Sequence, residues 1–94
     1  HGGFDPEKGV QKTSRIDLIW DRDLIEYAKY NTIKGYKKVF VGHTTTESWG
    51  HFEPISLNNL IMMDCGAGWT GKLALMDINT EEYWLSKKQA PAGR

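Results

Sequence analysis

Few side chains in this sequence have the types and spacing to do chemistry, and most stand beside glycines. His43 follows the apolar run Val39 to Val41 and Gly42. An open sheet built with helices presents ligands at the carboxyl ends of its strands. Glycine at such an end lets a backbone or a ligand come close. His43 therefore stands either at the mouth of a site or where a strand simply stops. Thr44 to Thr46 add hydroxyls without charge. His1, in "HGGFDP", is a second candidate, or else a terminal or tag-derived residue. His51, in "SWGHFEP", reads as a solvated loop residue. Arg22 lies in "IWDRD". It could pair at the surface with Asp21 or Asp23, which contributes little. It could also clamp an anion, because guanidinium matches phosphate oxygens in a bidentate fork. Asp64 opens the turn "DCGAG", which could bring backbone near a ligand or connect a hairpin to Leu73. The Asp64 carboxylate could ligate, or hydrogen-bond the loop backbone. Three histidines and one cysteine make no metal-ligand spacing pattern, and no Walker loop, nucleophile elbow or dinucleotide fingerprint is present.

The elements that must position these groups follow from periodicity. Residues 1–13, rich in glycine and charge, read as loop. Ile16, Ile19, Trp20, Leu24, Tyr27 and Ala28 recur at helical spacing, which predicts one helix from Arg15 to Tyr30 within segment 14–35. Ser14 with Asp17 resembles a capping box, and Gly35 is a stop signal. Residues 36–86 read as strands and hairpins. The strands are Val39 to Val41, Leu60 to Met63, "LALMDI" from Leu73 to Ile78 and "EEYWLS" from Glu81 to Ser86, with 43–56 as loop. The tail from residue 87 to 94 reads as flexible. The fold class is therefore α/β in the α+β sense: about four strands in a mixed or antiparallel sheet, with one main helix on one face.

The chain of 94 residues suits one small domain. Twelve basic and 12 acidic residues balance to zero, which argues against duplex nucleic acid as partner. No apolar run approaches the roughly 18 residues that span a bilayer. One cysteine, Cys65, permits no internal disulfide and fits a reducing, cytoplasmic setting.

The first three predicted strands are apolar on both faces, so the sheet needs a layer on each side. One helix covers one face. Each apolar side chain left in water forgoes roughly 1.5 to 3 kcal/mol of burial. A further segment of the same protein or a second copy is expected to cover the other face, unless loops 1–13 and 43–56 fold over it.

In order along the chain, "HGGFDP", "LIWDRD", "VFVGHTTTE", Pro54 and "LIMMDCGAGWTGKLALMDI" resemble the C-terminal half of the calcineurin-like metallophosphatases. The likeness is greatest to the bacterial and phage serine/threonine protein phosphatases and the symmetrical diadenosine tetraphosphatases. It covers His1 to about Ser86. The order and spacing of the motifs carry it, since each is modest alone. The resemblance implies that His1 and His43 bind metal and that Arg22 contacts phosphate. It implies two divalent ions, manganese first, with iron or zinc as alternatives, and metal-activated water attacking a phosphoester. Gly2 stands where the family often has alanine, and Cys65 where threonine is usual. The upstream signatures "G-D-x-H-G", "G-D-x-x-D-R-G" and "G-N-H-E", which carry the remaining ligands, are absent from these residues. The resemblance thus implies a C-terminal fragment, part of a β-sandwich, that is inactive alone. The substrate is left open between phosphoprotein and dinucleoside polyphosphate. The competing expectation is a non-catalytic interaction module with incidental histidines. A small independent metallohydrolase would need acidic ligands from Asp5, Asp64 or Glu47.

Overall fold

Ser14 adopts extended backbone, and its hydroxyl accepts from the Asp17 amide, which starts the first helix as its sequence suggests. In the computed structural model, which describes residues 1–69 and 71–87, this helix, α1, is Arg15–Trp20. It is followed by a second, α2, Asp23–Ala28. The single helix predicted from Arg15 to Tyr30 is therefore two. The break lies at Asp21, whose backbone turns extended (φ −58°, ψ 137°) and whose carboxylate accepts from the Leu24 amide at 3.0 Å. Aspartate competes for nearby backbone donors in this way and favours a cap over a helix interior. The chain then turns. Leu24, Ile25 and Ala28 face the core, while Ile16, Ile19 and Trp20 stay exposed. The predicted stripe is split at the same point. Gly35 lies beyond the helix end and serves a loop with φ 89°.

Five strands form two sheets among the described residues, instead of about four in one. The fold is mixed α+β. In the first sheet β3 (Leu60–Met62) is central, parallel to β1 (Val39–Val41) and antiparallel to β2 (Ile55–Leu57). Residues 43–56 are thus not all loop: they hold a 3-10 turn at Thr46–Trp49 and the start of β2. A second 3-10 turn, Val10–Lys12, interrupts the predicted 1–13 loop. The β2–β3 hairpin turns on Asn58 and Asn59, with Asn58 at φ 53°. Asn58 Nδ2 donates to the Ala28 carbonyl at the end of α2. Asn59 accepts from the Ile33 amide and donates to the Ile33 and Tyr36 carbonyls. One tight turn thereby fixes the helix end and the loop leading into β1.

Phe4, Leu24, Ile25, Ala28, Ile33, Val39, Val41, Leu60 and Met62 form the core between α2 and this sheet. Ile61 is also buried, so β3 is covered on both faces. The second sheet is the hairpin of β4 (Ala74–Met76) and β5 (Tyr83–Leu85). It is tethered by the Lys38–Glu81 ion pair at 2.7 Å and by the Tyr83 hydroxyl donating to Glu53 Oε2. Apolar exposure is prominent on this hairpin. Leu75 pairs directly with Trp84, and they are 69% and 54% exposed. No helix among the described residues is long and apolar enough to cross a membrane. The tail predicted to be flexible lies outside the described residues from 88 onward.

Candidate functional site

The N-terminal segment packs against the joint between α1 and α2. The Gly2 amide donates to the Leu18 carbonyl at 2.8 Å. A Cβ at Gly2 would lie 2.6 Å from the Ile19 carbonyl oxygen and 2.8 Å from both the amide nitrogen and the carbonyl oxygen of Asp21. Alanine, frequent here in the family that the sequence resembles, does not fit without movement. His1 is thereby delivered to the end of β1, where its carbonyl accepts from the Gly42 amide at 2.8 Å.

At that strand end the backbone folds tightly around His43. The Thr44 amide donates to the Gly42 carbonyl at 2.6 Å, and His43 has φ 64°. A bond from residue i+2 back to residue i across a positive φ is a rare and strained turn. Such strain persists only where the surroundings over-determine it, and it clusters at functional sites. The His43 ring is held on two sides: His1 lies 5.2 Å away between ring centroids, tilted by 53°, and Trp20 lies 5.2 Å away edge-on.

His1, Arg22 and His43 line one cavity of about 650 Å³, together with Thr44, Thr45, Ser48, Asp64 and Trp69. Arg22 reaches it from the helix break, not from a helix face. The ion pairs among the described residues are Lys29–Glu26 and Lys38–Glu81, so Arg22 pairs with neither Asp21 nor Asp23. Asp64 Oδ1 accepts from the Gly66 amide at 3.0 Å, and the Asp64 carbonyl accepts from the Thr46 amide. This anchors the glycine-rich turn to the loop after His43. The turn closes on itself through bonds from the Trp69 and Gly71 amides to the Gly66 carbonyl, and it does not pair β3 with Leu73. A second, mainly apolar cleft shares His1 and Asp64 as walls and continues past Phe40, Met63 and Leu73. His51 is exposed and lies outside both.

The donor set fits a divalent cation only in part. His43 Nε2 is buried and lacks a hydrogen-bond partner. An imidazole nitrogen in that state is suited to a cation. His1 stands beside it. No group of three or more His, Cys, Asp or Glu side chains capable of holding a metal occurs among the described residues. Two imidazoles therefore fit as part of a coordination shell, and a complete shell needs further ligands. Cys65 is 1% exposed, and burial pushes its thiol up, against an opposing hydrogen bond with Thr46 and with Asp64 and Glu53 adding to the rise. This is the opposite of the lowered pKa that activates a cysteine as a nucleophile.

Thr44, Thr45, Ser48 and Trp69 join the cavity although their sequence positions mark them only weakly. The run of hydroxyl residues after "GH" was the available signal for the first three. No match was found among protein-family models, curated proteins or solved structures.

Proposed function

We propose that this chain supplies the histidine-and-arginine side of a two-metal phosphoesterase site, whose remaining ligands lie outside residues 1–94. One observation carries the reading. His1, Arg22 and His43 come from three separate segments and line one cavity, in which the two imidazoles are neighbours. In such a site His1 and His43 bind through neutral ring nitrogens, and the orphaned His43 Nε2 is available for that role. Bound divalent ions, manganese by resemblance and iron or zinc as alternatives, supply charge neutralisation and water activation. Arg22 holds the non-bridging oxygens of the phosphoester as charge develops on them. The hydroxyls of Thr44, Thr45 and Ser48 give the same wall further polar groups. The chain alone, with Asp64 as the one carboxylate among the described residues that line the cavity beside the two histidines, is expected to show no turnover of p-nitrophenyl phosphate. Its buried, unpaired cysteine suits a cytoplasmic setting.

The test is a Zn²⁺ or Mn²⁺ titration read by NMR of the imidazole resonances. Both rings should respond together with one affinity, and His43→Ala should abolish the response of His1. Independent responses, or none at millimolar metal, would overturn the reading.

The exposed Leu75–Trp84 pair favours a second reading, a non-catalytic module that binds a partner through its hairpin. Metal binding by both histidines would decide against it.

A further inference from the structure

Four hydroxyl side chains follow His43: Thr44, Thr45, Thr46 and Ser48. Three of them are taken up inside the protein. Thr45 Oγ1 accepts from the Ser48 amide at 3.3 Å, and Ser48 Oγ donates to the Thr45 carbonyl at 2.6 Å. Thr46 Oγ1 donates to the His51 carbonyl at 3.2 Å. Thr44 differs. Its Oγ1 is buried and has no hydrogen-bond partner among the described residues. A buried hydroxyl left in that state bears the full cost of losing water, and native structures keep few such groups. Thr44 also lines the cavity that holds Arg22 and the two imidazoles. Its backbone is fixed there by the bond from its amide to the Gly42 carbonyl. Rotation about Cα–Cβ carries the hydroxyl among staggered positions without moving that backbone. Glu47 Oε2 is buried and unpartnered as well, but Glu47 is absent from the cavity wall.

The chemistry of the wall selects the ligand. A neutral hydroxyl is a poor match for zinc or manganese, which take imidazole, thiolate and carboxylate. As a donor it suits an anionic oxygen. Arg22 stands on the same wall without a carboxylate partner among the described residues, and its guanidinium draws an anion there. We propose that Thr44 is a further phosphate-binding residue of this site, its hydroxyl donating to a phosphoryl oxygen that Arg22 also holds. This rests on the phosphoester reading above and deepens it.

The experiment titrates inorganic phosphate, without metal, into the labelled chain and reads the Thr44 amide and Arg22 side-chain resonances by NMR. Both should shift with one affinity. Thr44→Val keeps the shape and deletes the hydroxyl. It should weaken phosphate binding about tenfold, while its melting temperature stays level or rises, because no bond within the protein is lost. Thr44→Ser should restore most of the affinity. The response of His1 and His43 to Zn²⁺ should be the same in Thr44→Val as in the parent chain. Phosphate affinity unchanged in Thr44→Val, or Thr44→Ser binding as weakly as Thr44→Val, would overturn the Thr44 inference alone. So would a weakened Zn²⁺ response in Thr44→Val, which would make the hydroxyl a metal ligand. Failure of phosphate to bind the parent chain, or binding indifferent to Arg22→Ala, would overturn the phosphoester reading itself.

Discussion

The Gly42 amide donates to the carbonyl of His1 at 2.8 Å, and this bond ties the first residue of the chain to the end of β1. It sets the His1 ring beside that of His43, at 5.2 Å between centroids. The site depends on this tie and on the unusual backbone it adjoins.

The left-handed conformation of His43 (φ 64°) costs roughly 1 to 2 kcal/mol in any residue that bears a Cβ. His43→Ala and His43→Gly both remove the ring and its contacts with His1 and Trp20. Only glycine relieves the backbone. His43→Gly should therefore be more stable than His43→Ala by about 1 kcal/mol in urea unfolding. Equal stability would mean that the strain is absent.

Gly2 has backbone atoms of Ile19 and Asp21 within 2.8 Å of where a Cβ would stand. Backbone cannot rotate away as a side chain can. Gly2→Ala should cost about 1 to 3 kcal/mol, and it should displace His1 from His43, which on the proposed phosphoesterase reading weakens any metal response. Gly50→Ala is the control. It has open space around it but a φ of 80°, so it should cost about 1 kcal/mol and leave the histidines unaffected.

Asn59 makes three hydrogen bonds to the 33–36 loop, and the Ile33 amide has its partner in Asn59 Oδ1. Asn59→Ala should lower stability by about 2 to 3 kcal/mol, since a half-buried amide loses its acceptor. Asn58→Ala, which loses the bond to the Ala28 carbonyl, should cost less, and Asn58→Gly less again because φ 53° suits glycine. Denaturant midpoints in that order would check the role of the turn.

Alkaline pH should destabilise the fold. Burial raises the Cys65 thiol above its ordinary value of 9.0, so the unfolded chain releases that proton first. The stabilising contribution is complete below pH 9 and is lost as pH rises through the folded value. Tyr83, raised by its hydrogen bond to Glu53, titrates above its ordinary 10.0 in the same direction, but it is solvent-exposed and its share is screened. Urea midpoints should fall as pH rises above 9.0, and Cys65→Ala should flatten most of that slope. A slope unchanged in Cys65→Ala would assign the effect elsewhere.

Local chemistry was legible from residue order. Ser14 caps α1, as its spacing to Asp17 indicated, because a cap uses only neighbours in the chain. The apolar runs at Val39 and Leu60 became β1 and β3, and β3 is buried throughout. The mixed α+β class followed from those same periods. The break at Asp21 was not legible, because the helical spacing of apolar residues continues through it while one carboxylate redirects the backbone. Strand β2 was hidden for a related reason. Ile55–Leu57 is short and gains its identity from pairing with β3 across the two-asparagine turn. Division into two sheets, the approach of His1 to His43, and the arrival of Arg22 and Trp69 in one cavity were decided by tertiary structure alone. Periodicity reports which face of an element is apolar. Which distant segments meet depends on close packing at Gly2, on the bond between Gly42 and His1, and on a shared core, and these exist only once the chain has closed on itself.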